Sequence, residues 1–342
     1  MFRKGKAFAI IVIVFCSLPF LAGCVSIKSR TSITGGDIQS AVIKGVKYLN
    51  HNQNYNGSIS LRNDNRFDVW ETANVLYAML SIGGGDKKVL ARAKGFLKSA
   101  QNKNGSFNFK YGTSQSDYCL ETTAVVIMAM TLTGEDVKKS MDFLSRKQNQ
   151  DGSWKVGYIQ RPWNTFPSVT GYALNALLDQ EAFDRNSIEN AVGYIYLQQK
   201  KDGSWGRTPL YYDSSFYPIF PILKALAAYG ENESVVYKNA VQYIKHLQNT
   251  DGSFEEQSEQ SPSLELRTAL ALNALLVSPD KSDLAAIYRG IVWLLKQQQP
   301  NGAWNGGYYA GKDNKKEDIF STAMALLALH YYQKQSARGE LE

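Results

Sequence analysis

The chain has 342 residues, 44% of them hydrophobic, enough to bury a large core. That excludes a disordered chain and a small disulfide-stapled scaffold. Its 38 basic and 31 acidic residues give a formal charge of +7, which suggests an acidic partner, and its length alone suggests two domains.

The first element is an export signal. Residues 1–23 carry Arg3, Lys4 and Lys6, an apolar run from Ala7 to Leu21, and no acidic residue. A run this short that ends in small residues reads as a secretory signal rather than a membrane-spanning helix. It closes on Leu21-Ala22-Gly23-Cys24, which resembles the lipobox of bacterial lipoproteins. That resemblance implies cleavage before Cys24 and its acylation, and two or three acyl chains would anchor the protein stably in a membrane. Val25, rather than Asp, follows the cysteine; in a Gram-negative cell this implies the periplasmic face of the outer membrane. Loss of residues 1–23 removes three basic and no acidic residues, leaving 35 against 31, or +4. Such a surface is mixed and solvated, and no nucleic-acid partner is expected. With Cys16 removed and Cys24 acylated, Cys119 is the one remaining thiol, so no intrachain disulfide is available.

After a tether over 24–36, one pattern recurs to residue 333, followed by a tail over 334–342. Its glycines are Gly57, Gly105, Gly152, Gly203, Gly252 and Gly302, spaced by 48, 47, 51, 49 and 50 residues. A glutamine stands four residues before each (Gln53, Gln101, Gln148, Gln199, Gln248, Gln298), and a large apolar residue two after (Ile59, Phe107, Trp154, Trp205, Phe254, Trp304). Self-similarity at this period means stacked supersecondary units. The stretch before each glutamine has helical periodicity, as in Ala41, Val42, Gly45, Val46 and Leu49. It stops at Asn-Gly or Asp-Gly, which accepts a left-handed backbone. The glutamine amide can donate to the free carbonyls of that last turn or to a neighbouring repeat. A second, Ala- and Leu-rich helix begins near Thr72, Thr122, Thr170, Thr268 and Thr322; the fourth repeat departs, with Ser215-Phe216 leading to Pro218 and Pro221. Twelve helices in six hairpins follow. Neither end carries an atypical capping repeat, which favours a closed ring over an open solenoid.

The last repeat, Arg289-Gly290-x-x-Trp293-Leu294-x-x-x-Gln298-x-x-x-Gly302-x-Trp304, resembles the QW motif of squalene and oxidosqualene cyclases. The resemblance covers about residues 37–333. It implies an all-α fold, the (α/α)6 toroid shared with protein prenyltransferases and the complement thioester domain, with the functional cavity at the N-terminal ends of the inner helices. Squalene–hopene cyclases carry Asp-x-Asp-Asp-Thr-Ala there, with the general acid at the third position. Here the nearest match is Asp68-Val69-Trp70-Glu71-Thr72-Ala73, and the sixth repeat reads Asp318-Ile319-Phe320-Ser321-Thr322-Ala323, so Trp70 and Phe320 hold the acid's place. Asp117-Tyr118-Cys119 matches the Asp-x-Cys zinc pair of prenyltransferases, but Ser321 stands where their histidine is expected. Two ligands do not make a zinc site, and no cofactor is expected.

The inner-helix starts still gather candidates. Asp68, Glu71, Asp117 and Glu121 are the candidate catalytic carboxylates. Trp70, Tyr118, Cys119, Tyr211, Tyr212, Asp213, Glu265, Arg267, Asp318 and Phe320 are candidate ligand contacts. Carboxylates at these positions also serve as helix caps. Glu71 and Glu121 each precede a threonine in adjacent repeats, so a ring would set them side by side, raising one pKa unless Arg267 neutralises them. Three functions fit: a toroid binding an apolar, isoprenoid-like small molecule or a peptide; a terpene cyclase with a displaced acid, Asp68 or Asp117; or a carbohydrate-active barrel using Glu71 and Glu121.

Overall fold

The computed structural model describes residues 33–61, 65–114, 116–157, 165–179, 184–207, 213–256, 262–306 and 316–338. The signal over 1–23, Cys24, Tyr211 and Tyr212 lie outside the described residues. Contacts divide the chain into Met1–Ile33 and Thr34–Glu342, and the second unit holds the repeats.

Among the described residues there are twelve α-helices, alternating outer and inner. The outer ones are α1 (Gly35–His51), α3 (Lys87–Ser99), α5 (Lys138–Arg146), α7 (Arg185–Gln198), α9 (Val235–His246) and α11 (Leu284–Lys296). The inner ones are α2 (Asp68–Ser81), α4 (Leu120–Thr131), α6 (Pro167–Leu178), α8 (Phe216–Tyr229), α10 (Leu264–Leu275) and α12 (Ile319–Ala337). Each inner helix packs on the next, and α12 packs back on α2, so the ring closes. The inner helices are buried almost all round: every residue of α4 from Leu120 to Met130 is buried. The outer helices bury only a stripe, such as Ala93, Phe96 and Leu97 of α3. The toroid starts and ends a few residues beyond the boundaries read from the repeats. A capping box between Thr34 and Asp37 starts α1, and the buried Gln335 side chain, donating to Leu276 O at 3.2 Å, holds the end of α12.

The repeat motif is a clamp between neighbouring repeats. Gln53 Nε2 donates to Gly57 O at 3.1 Å within its own turn and to Val89 O of α3 at 2.8 Å. Gln148, Gln199 and Gln248 repeat this toward Ser187, Val236 and Ala286. Gln298 donates to Ala41 O of α1 at 2.8 Å and joins the last repeat to the first. Gln101 reaches Ser140 Oγ, which itself donates to Gly105 O. The glycines are required twice over. Gly302 has φ +96°, and a Cβ there would stand 2.2 Å from Lys44 O of α1.

A threonine on five of the six inner helices fastens the chain after the glycine. Its hydroxyl accepts the backbone N–H of Ile59 (Thr72, 2.9 Å), Trp154 (Thr170, 3.2 Å), Phe254 (Thr268, 3.0 Å) and Trp304 (Thr322, 3.1 Å). In the second repeat the fastener is Thr123, at 3.0 Å from Phe107 N, and not Thr122. That corrects the register: Glu121 takes the place of Trp70, and Thr122 that of Glu71. The fourth repeat has no such threonine, and the start of its inner helix is held by Glu256 of the next repeat. Its buried carboxylate accepts Ser215 N at 2.9 and 3.0 Å and Ser215 Oγ at 2.5 Å, fixing the start of α8.

Ring closure makes a prediction about stability. Gly302→Ala should lose about 2 kcal/mol or more from forced backbone strain, and Gln298→Leu about 1–3 kcal/mol from an unmet carbonyl. Gly95→Ala, in α3 with nothing near its Cβ position, should be neutral or gain up to about 1 kcal/mol. Urea unfolding measures all three, and equal midpoints for Gly302→Ala and Gly95→Ala would contradict the clamp.

Candidate functional site

The first turns of the inner helices converge on one carboxyl group. Glu121 lies in the first turn of α4 with no solvent exposure. Trp70, in the first turn of α2, donates its indole N–H to Glu121 Oε1 at 3.2 Å. Tyr217, in the first turn of α8, donates its hydroxyl to the same oxygen. Glu121 Oε2 is buried without a hydrogen-bond partner. Phe320 of α12 completes the surround, its ring 4.6 Å from that of Trp70 and 6.2 Å from that of Tyr217 between centroids. Tyr172, one turn down α6, stands 6.2 Å from Tyr217. Burial pushes the Glu121 carboxyl up to about 7; the Tyr217 and Trp70 donors favour the anion and offset part of that. Near neutral pH the group is therefore poised between acid and carboxylate, in a wall of aromatic faces. Beneath this layer the inner helices enclose a cavity of about 10 Å³, lined in part by Asn74, Tyr77, Tyr172, Asn175 and Lys224, with room for one water.

The other candidates scatter around the rim. Glu71 is buried but acts, with Glu317 and Asp318, on Tyr48 of α1, whose phenol is pushed up mainly by burial. The structure does not set Glu71 and Glu121 in one slot, because the threonine register differs by one. Arg267 neutralises neither: its guanidinium donates to Glu256 O at 3.0 Å and lies 3.6 Å from Glu255. Asp68 accepts Tyr111 N at 2.9 Å, and burial raises its pKa. Asp117 is exposed, three residues before α4, and its carbonyl accepts from Asn102. Tyr118 packs against Phe143 at 5.1 Å with Lys147 Nζ 4.8 Å from its ring, outside the axis. Cys119 is buried and donates its backbone N–H to Phe107 O. Asp318 caps α12 through Ser321 N at 2.8 Å, Glu265 accepts from Asn305, and Asp213 pairs with Arg207 at 3.5 Å. Among the described residues no group of three or more His, Cys, Asp or Glu side chains is arranged to hold a metal ion.

Sequence reasoning named Trp70, Glu121 and Phe320 but missed Tyr217 and Tyr172. Tyr217 sits where the repeat pattern breaks, directly before Pro218, and that break was its one signal. Tyr172 follows the third-slot residue Ser168 by one helical turn, so it shares the inward face.

The family model for the squalene-hopene cyclase C-terminal domain matches residues 64–217 and 168–334. The chain belongs to that family. It is 26% identical over 299 residues to a squalene–hopene cyclase of Zymomonas mobilis, covering 71% of this chain and 44% of that enzyme's length. The chain thus spans less than half of the curated relatives it matches. Among solved structures it is similar to the apo form of the type II terpene cyclase MstE from Scytonema, with a TM-score of 0.71, 19% identity and coverage of 88% and 99% of the two chains. A glycosyl hydrolase family 88 structure from Bacteroides vulgatus is also similar, at TM-score 0.57, 14% identity and coverage of 86% and 99%. These structural likenesses show the α/α toroid fold.

The raised pKa of Glu121 ties stability to pH. An acid with an ordinary pKa of 4.5 that titrates at about 7 when folded costs nothing below pH 4.5. Its cost grows as pH rises between the two values and is constant above the higher, reaching about 3 kcal/mol. Urea unfolding from pH 4 to 8 should show the wild type losing stability relative to Glu121→Gln across that window. Parallel curves for the two proteins would contradict the assignment.

Proposed function

We propose that the protein is an exported lipoprotein, held to a membrane by acylated Cys24, whose axial site takes an apolar, isoprenoid-like chain. One observation carries this: the buried Glu121 carboxyl, walled by Trp70, Phe320 and Tyr217 at the inner-helix N-termini. A neutral carboxyl among aromatic faces accepts an apolar chain without an uncompensated charge. The squalene–hopene cyclase similarity supports an isoprenoid-type ligand over a peptide.

A second reading is favoured by the corrected register. Glu121 occupies in the second repeat the slot that the family's general acid occupies in the motif resembled by Asp68–Ala73. In that reading the Glu121 O–H bond breaks as a C–H bond forms at an alkene carbon. The aromatic faces stabilise the resulting carbocation, and the final cation loses a proton to solvent, which leaves the product neutral while Glu121 regains a proton from solvent. Asp68, which accepts Tyr111 N, and the exposed Asp117 are less favoured donors, because the aromatic wall surrounds Glu121. The paired-carboxylate glycosidase reading is less favoured, because Thr122 and not Glu121 holds in the second repeat the slot that Glu71 holds in the first.

Native mass spectrometry of the purified protein, incubated with squalene and with geranylgeraniol, tests the first reading. Retention of either supports it, and retention of neither contradicts it. Any converted product should vanish in Glu121→Gln while ligand retention persists; undiminished conversion in that variant would rule out Glu121 as donor. Separately, Cys24→Ser should move the protein from the membrane fraction to the soluble fraction. Unchanged membrane association would contradict the anchor.

A further inference from the structure

Outside the axial site, a groove of about 540 Å³ opens between the first two repeats. Two tyrosines flank it. Tyr55 is fully exposed, at 102% of its reference area, and Tyr111 is 44% exposed. The other five repeats carry Lys103, Gln150, Lys201, Thr250 and Pro300 where the first carries Tyr55, so the motif does not need an aromatic there. The turn that presents Tyr55 is rigidly held. Arg92 Nη2 of α3 donates to Asn54 O at 2.9 Å and Tyr55 O at 2.7 Å, and Asn54 Nδ2 donates to Ser60 Oγ at 2.9 Å. The exposed amides of Asn56 and Asn65 line the groove, and the buried carboxyl of Asp68 lies at its wall.

The lining chooses the ligand class. Among the described lining residues there is no Lys or Arg and the one carboxyl is Asp68, so that lining does not favour an anion. Leu61 is the one aliphatic side chain, so a lipid tail meets little apolar surface. What remains is two amphipathic phenol faces with amides, hydroxyls and one carboxyl between them. Such rings pack on the C–H face of a sugar, and the polar groups bond to its hydroxyls. We propose that this groove is a binding site for a neutral polysaccharide, with Tyr55 and Tyr111 as its stacking platforms and Asp68 as a hydroxyl acceptor. It is independent of the axial site, and Glu121 takes no part in it.

Affinity electrophoresis of the full-length protein in non-ionic detergent tests this, with hydroxyethylcellulose, laminarin or polygalacturonate cast into native gels. At least one neutral polymer should retard the wild type. Tyr55→Ala should weaken that retardation about fivefold with no change in thermal midpoint, because the side chain is wholly exposed, and Glu121→Gln should leave it unchanged. Absence of retardation by both neutral polymers, retardation by polygalacturonate alone, or equal retardation of Tyr55→Ala would each overturn the proposal. Loss of retardation in Glu121→Gln would also overturn it, by tying the binding to the axial site.

Discussion

The glutamine clamp at each helix end is what the rest of the toroid depends on. Each outer helix stops at a glycine with positive φ, and the turn presses so closely on the next outer helix that a Cβ would strike its backbone. In five repeats the glutamine four residues earlier satisfies two carbonyls at once, one in its own turn and one across the repeat boundary, and in the second Gln101 acts through Ser140. A buried carbonyl left unmet costs more than the bond itself contributes, so the clamp acts as a constraint rather than an ornament. Because Gln298 and Gly302 seat on α1, the clamp turns a stack of hairpins into a ring, with the inner-helix N-termini gathered around one axis.

That gathering creates the chemistry. Six helix starts point their first turns at a common centre, and the side chains of the third slot meet there. Three of those side chains, Trp70, Tyr217 and Phe320, are aromatic and one is Glu121. The carboxyl is far from water, so its charged form is disfavoured, and the two donors it receives are too weak to restore its ordinary acidity. Closure of the fold and tuning of the acid are thus one event: an opened ring would hydrate Glu121 and return it toward ordinary behaviour.

Much of this was legible in the sequence, and the failures have physical reasons. Glycine and glutamine could be read because the clamp recurs six times with both residues in every copy. The aromatic third slots of the first and sixth repeats could be read from Thr72-Ala73 and Thr322-Ala323. The second repeat misled because Thr122 and Thr123 are adjacent; only the hydrogen bond from Phe107 N shows which one sets the register. Asp117 and Tyr118 drew notice through their spacing to Cys119. They precede the helix, however, and a residue there lies on the rim whatever its chemistry. Tyr217 was hidden because the fourth repeat lacks the threonine and its helix start is fixed by a bond from Ser215 to Glu256, 41 residues away, a partnership no local pattern reveals.

The central claim is that Glu121 is a buried acid, neutral in slightly acidic solution. Infrared titration of the carboxylic-acid carbonyl band, taken as the difference between wild type and Glu121→Gln, measures this directly. The account predicts a band present at pH 5.5 in the wild type alone, fading with a midpoint near the value of about 7 that burial imposes. A difference spectrum with no such band at pH 5.5, or one that is lost near the ordinary 4.5, would contradict it.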